Sequence, residues 1–315
     1  MKTKNSLCIL GVMGLLLISS CNRGTQQYTD TPTSGEISIS ADETFKPILS
    51  AETEVFQALY TYAKINVTYK TETEALNDLL KDSVRLVIAS RPLSNEEKDF
   101  FNKKKFYPKE VKIAIDGIAL ITNKENTDTM MSVKTFRKIL IGQLTSWKQI
   151  NPKSKLQETT VIFDNMNSST VRFMLDSVCR GSKISDKHAA LKSNAEVINY
   201  VANNKNAIGV IGVSWISDKD DSTMLSFLKK VNIVALSSDS IATAQNSYQP
   251  YQAYIAKGYY PFTRNIYAIN SEPRVGLATG FAGFVASERG QRIILKTGIL
   301  PATQPLRIIE VKNDL

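Results

Sequence analysis

Short apolar runs of strand length alternate with helical patterns along most of the chain. "GEISIS" is followed by "FKPILSAETEVFQALYTYA", then "INVTYK", then "TETEALNDLLKDS", then "VRLVIAS". That order predicts strand, helix, strand, helix, strand, and hence a parallel or mixed sheet covered by helices. The alternation resumes after "VKIAIDGIALITNK", with a helix predicted over Ser132 to Ile141, a strand over Thr159 to Phe163, a helix after Ser169 and a strand in "NAIGVIGVSWI". In "FRKILIGQLTSWKQIN", Phe136, Ile139, Leu140 and Ile141 form one apolar face, Gly142 ends the helix and Trp147 is expected to pack over the turn.

The helix entrances share a chemistry. Thr44 precedes a helix with Pro47 near its start, where a missing N–H costs least. Thr71 with Glu74, and Ser94 with Glu97, have capping-box spacing. The stretch "DNMNSSTVRF" places Asn167, Ser168, Ser169 and Thr170 at a further entrance. Three of the four entrances follow directly on an apolar strand, beyond the carboxyl ends of strands, where open α/β sheets hold ligands.

One Ser, Thr, Asn or Asp is enough to cap a helix, so the run at Asn167 to Thr170 exceeds that need. Unpaired N–H groups and the positive end of the helix dipole, flanked by hydroxyls, suit a dehydrated tetrahedral oxyanion. A Ser- and Thr-rich turn that only caps its helix is the other reading, and the stretch alone does not separate the two. A nucleotide-phosphate loop is excluded, because no "GxxxxGK" and no lysine occur in the run.

Composition narrows the classes further. Lys2 and Lys4 precede an apolar core from Leu7 to Ile18, of signal-peptide length and too short to span a bilayer. Ile18, Ser19, Ser20 and Cys21 look like a lipoprotein processing site. The expectation is a signal peptide at 1–20, lipidation of Cys21, a polar linker over 21–35 and a protein on the periplasmic side of the cell membrane. With Cys8 lost and Cys21 lipidated, Cys179 stands alone as an expected buried hydrophobe, which leaves no disulfide and no thiolate metal cluster. His188 is the one histidine, so neither a His-based metal site nor a Ser-His-Asp triad is expected. Removal of Lys2 and Lys4 leaves 37 Lys and Arg against 30 Asp and Glu. The excess is dispersed and lacks interleaved aromatics, which points away from nucleic acid and leaves a mild field attractive to small anions.

Seven segments add a resemblance: "ISADETF", "VRLVIASRPLSNEE", "SVKTFRKILIGQLTSWKQIN", "VIFDNMNSSTVRF", "NAIGVIGVSWI", "YPFTRNIY" and "FVASERGQRIILKTGILPA". In this order, from Gly35 onward, the chain resembles the periplasmic phosphate-binding proteins that serve ABC phosphate importers. The resemblance implies a two-lobed type II periplasmic-binding-protein fold, α/β with mixed sheets and a ligand cleft between the lobes. Lobe 1 would comprise 36–115 plus 259–315 and lobe 2 would comprise 116–258. It further implies inorganic phosphate as ligand, ABC permease and ATPase subunits as partners, a monomer, and no cofactor, metal or catalytic residue.

By motif, Thr44 and Phe45 match the family's Thr-Phe, and Ser168, Ser169 and Thr170 match its Ser-Gly-Thr, with Asn167 beside them. The family's serine after the second strand has no clear counterpart; Thr73 is the nearest, with Thr71 or Glu74 as alternatives. Arg91 falls where many members carry an acid, and Asp164 falls near the place of their Arg, as though the two charges had exchanged sides of the cleft. Arg91 would then pair with the oxyanion and Asp164 would accept its proton, unless Asp164 is merely a turn residue. Arg172 is a ligand candidate or part of a solvated helix face, and Tyr260 and Arg264 are expected to brace the hinge side. The function expected is capture of phosphate, or a similar tetrahedral oxyanion, for an ABC importer. An anion-sensing or scaffold module, or a phosphatase on the same fold, is the rival reading.

Overall fold

The structure is a computed structural model that describes residues 30–218 and 220–303. The predicted signal segment, Cys21 and most of the linker lie outside the described residues. Among the described residues no helix is long and apolar enough to cross a membrane.

The first half follows the predicted alternation. It comprises β1 (Gly35–Asp42), α1 (Lys46–Leu59), β2 (Ala63–Lys70), α2 (Glu72–Leu80), β3 (Leu86–Ala89) and α3 (Asn95–Lys103). β1 pairs in parallel with β2 on one side and with β3 on the other. All four residues of β3 are buried and apolar, as expected of a strand covered on both faces, while the last four of β1 are buried too but alternate Ile39 and Ala41 with the polar Ser40 and Asp42.

The long strand β4 (Lys109–Asn123) joins the two lobes. Its residues 109–117 pair antiparallel with a returning strand, and its residues 118–122 pair with a strand of the second lobe. The switch falls between Gly117 and Ile118. Lobe 2 then adds β5 (Met130–Ser132), α4 (Val133–Leu140), α5 (Trp147–Ile150), β6 (Thr160–Phe163), α6 (Ser169–Phe173), β7 (Ala189–Ala190), α7 (Asn194–Asn203) and β8 (Ala207–Gly212). It continues with α8 (Ser222–Lys230), β9 (Val231–Ile233), β10 (Ala235–Ser237) and α9 (Gln252–Ala256). The chain returns to lobe 1 through β11 (Thr263–Asn270), which runs antiparallel between β3 and β4, and then forms α10 (Leu277–Ala286), α11 (Glu288–Lys296) and β12 (Leu300–Pro301). The outcome is one curled mixed sheet in the order β2-β1-β3-β11-β4-β8-β6-β7, with β12 and β9 paired to β4.

Two large cores, with a smaller third around Leu76, Leu79 and Phe101 beneath α2 and α3, hold this frame. One runs across both lobes and contains Phe45, Phe56, Phe281, Ile121 and Val197. The other fills lobe 2 around Trp147, Phe136, Phe163 and Phe262. Trp147 is fully buried, and its indole N–H donates to the Asn206 carbonyl at 2.9 Å, tying α5 to the start of β8. Cys179 is buried and free. His188 is structural: its Nδ1 accepts from the Val161 N–H at 3.2 Å while Nε2 meets the Ile139 carbonyl at 2.9 Å.

Glu52 on α1 is fully buried and neither carboxylate oxygen has a hydrogen-bond partner. Burial pushes its carboxyl up to about 9. The folded state therefore holds a proton that the unfolded state releases, and that stabilisation is complete below the ordinary glutamate range and is lost as pH rises toward 9. Glu52→Gln should abolish this loss. Thermal melts at pH 5 and pH 8.5 are expected to show the variant gaining about 2 kcal/mol or more over the parent at the higher pH only; parallel behaviour of the two proteins at both pH values would contradict the assignment.

Candidate functional site

The strand ends and helix entrances of the two lobes meet around one buried carboxylate. β1 ends at Asp42, which caps the turn Glu43–Phe45 by accepting the Thr44 N–H at Oδ1, 2.8 Å. Its other oxygen, Oδ2, accepts the Ser169 N–H from lobe 2 at 3.1 Å. An anionic group is thus held at the same time by backbone N–H groups from both walls of the cleft. Gly212, which ends β8, permits this approach, since a Cβ there would lie 2.3 Å from Thr44 Cγ2.

The surplus of small polar residues at 167–170 has a structural answer. Ser168 caps α6, its Oγ accepting the Val171 N–H at 3.3 Å. The Ser168 hydroxyl donates to Asp164 Oδ1 at 2.7 Å, and the Thr170 hydroxyl donates to the same oxygen. Asp164 Oδ2 accepts two longer bonds, from Thr44 Oγ1 at 3.4 Å and from Asn194 Nδ2 at 3.3 Å. Asp164 is buried, and burial together with the nearby Asp42 charge pushes its carboxyl up.

Arg264, on β11, crosses the centre of the site. Its Nε and Nη2 donate to Asp116 Oδ2 at 3.0 and 2.9 Å, and its Nη1 donates to Ser169 Oγ at 2.7 Å. The guanidinium lies 4.9 Å from the Phe45 ring centroid, a cation–π contact. Asp116 stands opposite Arg264 in the β4–β11 register, is fully buried, and has its Oδ1 without a partner. Burial pushes the Asp116 carboxyl up against the opposing pull of Arg264.

A second bridge closes the mouth of the cleft. Glu72, buried at the start of α2, accepts the Ser90 N–H at 2.6 Å and the Ser90 hydroxyl at 2.7 Å through Oε1, and Arg172 Nε at 2.6 Å through Oε2. Arg172 Nη2 also reaches Ser90 Oγ at 2.7 Å. Burial alone would raise the Glu72 carboxyl, yet the Arg172 charge and the Ser90 bonds outweigh it and hold the group below the usual carboxylate range. Glu43 makes a third link, accepting Asn194 Nδ2 at 2.7 Å, while the Asn194 amide oxygen accepts the Gly212 N–H at 3.0 Å. Burial pushes Glu43 up to about 7, with Asp164 and Asp42 adding to the effect against the bonds from Asn194.

The structure therefore brings together Thr44, Phe45, Asp164, Ser168, Ser169 and Thr170, while Arg172, on the same helix as Ser169 and Thr170, bonds separately to Glu72 and Ser90 of lobe 1. Three expected residues stand elsewhere. Arg91 turns away from the cleft into a bidentate ion pair with Glu97 at 2.7 and 2.8 Å, so it does not exchange places with Asp164. Thr73 is exposed, Thr71 caps α2 in a box with Glu74, and the residue of that loop that faces the cleft is Glu72. Asn167 is exposed in the turn, its N–H bonded to Asn165 Oδ1 at 2.9 Å. The bracing role expected of Tyr260 holds, its hydroxyl donating to the Ile118 carbonyl at 2.7 Å, while Arg264 goes beyond bracing and enters the site. Asp42, Glu72, Ser90, Asp116 and Asn194 were not anticipated.

Comparison with known proteins agrees with this fold. The family profile described as a PBP superfamily domain matches residues 26–289. A curated relative, the phosphate-binding protein PstS of Staphylococcus aureus strain bovine RF122 / ET3-1, is 25% identical over 234 residues, covering 74% of this chain and 71% of its own length. PstS of Staphylococcus aureus strain USA300 is 26% identical over 207 residues, covering 65% of this chain and 63%, under two thirds, of its own length. Among solved structures, a phosphate ABC transporter substrate-binding protein of Clostridium perfringens with bound phosphate superposes with a TM-score of 0.71 at 23% identity, over 85% of this chain and all of that one. With two α/β lobes on one curled mixed sheet, and a family match over most of its length, the chain belongs to the PBP superfamily.

Proposed function

We propose that this protein is a lipid-anchored solute-binding protein that captures inorganic phosphate, or a closely similar tetrahedral oxyanion, between its lobes and presents it to an ABC permease and its ATPase. The observation that carries the reading is the Asp42 carboxylate held by the Thr44 and Ser169 N–H groups at once. Donors from opposite lobes converge on a single anionic group, and a ligand oxyanion that displaces Asp42 gains both. The relatives named above, called phosphate-binding in their own right, support the choice of anion.

In this reading Thr44, Phe45, Ser169 and Thr170 offer neutral donors, and Arg264 and Arg172 supply positive charge. Charge-assisted bonds of this kind are about twice as strong as neutral ones. Binding at ten micromolar needs about 7 kcal/mol, within reach of such a set. The site's own carboxylates decide which oxyanion is preferred. Asp42, Glu43, Glu72, Asp116 and Asp164 outnumber the two guanidiniums, so the cleft disfavours a fully ionised ligand and favours one that brings a proton. Asp164 Oδ2, the less saturated of that carboxylate's oxygens, is the acceptor proposed for it.

A calorimetric titration with phosphate, sulfate and nitrate tests the reading. One phosphate site is expected, with sulfate and nitrate weaker by about tenfold or more, and Asp164→Asn should narrow the gap between phosphate and sulfate. Absence of heat with all three anions, or an unchanged preference in the variant, would overturn it.

The proton on Glu43 gives a pH signature. Its folded-state value near 7 lies above the ordinary glutamate range, so the stabilisation of the closed network is complete at low pH and is lost as pH rises through 7. Ionisation there adds a negative charge beside the ligand. Phosphate affinity should fall more steeply between pH 6 and 8 in the parent than in Glu43→Gln, which shares the ligand's own titration; superimposable pH profiles would contradict it.

A further inference from the structure

Away from the cleft, lobe 2 carries a half-open surface pocket of about 450 Å³ between α4, the helical turn that continues α6, and the loop after β10, with Lys134, Arg180 and the serines on its exposed rim. Lys134, Arg137 and Arg180 line it together with the hydroxyls of Ser177, Ser238 and Ser240, and Val133 and Val178 supply apolar wall. Among the described residues none of the three cations is ion-paired. Asp176 is engaged by Arg172 at 3.4 Å, and Asp239, between the two loop serines, accepts from Asn246 at 2.8 Å.

The backbone around this pocket is itself unusual. Met174–Cys179 forms a π-helical turn, an arrangement found often at functional sites. Arg180 follows in the left-handed region, φ 49° and ψ 59°, a conformation that costs a non-glycine residue free energy. Arg137 reaches Cys179 O at 3.3 Å and Ser182 Oγ at 3.4 Å through Nη2 only, and its buried Nε has no partner. A buried, unmatched guanidinium N–H is costly unless something accepts from it.

We infer that this pocket is a second anion site, for a multiply charged phosphate compound. Three cations suit a ligand with two or more negative charges, and guanidinium forks match phosphate oxygens bidentately. The volume exceeds what one tetrahedral oxyanion fills and falls in the range of small organic ligands. A phosphorylated organic molecule or a short phosphate chain therefore fits, with Val133 and Val178 against its apolar part. The site stands apart from the cleft, because the turn that lines it lies at the opposite end of the helix whose N-terminus forms the cleft wall.

The test uses the full chain already saturated with orthophosphate, titrated by calorimetry with pyrophosphate and, separately, with glucose 6-phosphate. At least one of the two should bind with unit stoichiometry, weaken with added salt, and shift the amide resonances of Ser177, Ser238 and Ser240. Stronger binding of pyrophosphate would assign a phosphate chain, and stronger binding of glucose 6-phosphate an organic phosphate. The double variant Lys134→Gln/Arg180→Gln should lose about tenfold or more in affinity, while Asp164→Asn in the cleft should leave this binding unchanged. No binding of either compound at millimolar concentration, amide shifts confined to the cleft, or undiminished binding by a folded double variant would overturn the proposal.

Discussion

The Arg264 guanidinium is the contact on which the cleft depends. It joins Asp116 on the strand that passes between the lobes, Ser169 at the entrance of the lobe 2 helix, and the face of Phe45 in lobe 1. Removing one partner of such a buried pair typically costs about 3–5 kcal/mol, because the other charge is left without compensation. Here the loss would be mechanical as well as energetic. Arg264 sets where β11, β4 and α6 stand relative to one another, and hence where the Thr44 and Ser169 N–H groups point.

Around that fork, beside the apolar core that runs across both lobes, a set of polar bonds links the cleft walls. Asp42 meets Ser169, Glu72 and Ser90 meet Arg172, Glu43 meets Asn194, and the Thr44 carbonyl accepts from Ser214 Oγ and Trp215 Nε1 at 2.9 and 3.1 Å. Polar closures of this kind exchange readily with water and with a ligand, since their net worth is small compared with their gross strength. The excess of carboxylates over guanidiniums gives the cleft its character: in the proposed reading, without protons it would repel the anion offered to its N–H groups.

Much of the frame was legible in the residue pattern, and the reasons can be traced. The strands and the order of β1 to β3 followed from apolar runs bounded by capping residues, and the lobe 2 helix entrance followed from its surplus of hydroxyls. Glu72 and Asn194 were also within reach. Glu72 lies three, four and seven residues before Ala75, Leu76 and Leu79, and Asn194 stands in the same relation to Val197, Ile198 and Val201, so each shares the buried face of its helix. A buried polar residue on such a face needs a partner, which points inward to the cleft. Arg91 was misplaced because the Ser94–Glu97 box that was read as a cap also fixes a carboxylate within reach of its guanidinium. The pairing of Asp116 with Arg264, and the π-helical turn after α6, depend on register and long-range packing that local periodicity does not encode.

The central claim is that Asp42 stands on the donors that a ligand oxyanion takes over. The most direct measurement follows the backbone ¹⁵N–¹H resonances of Thr44 and Ser169 as phosphate is added to the protein. Both should move together and saturate at one equivalent, and in Asp42→Asn, where the competing charge is gone, they should saturate at lower phosphate concentration. Resonances of Thr44 and Ser169 that stay in place while phosphate binds elsewhere would contradict the account.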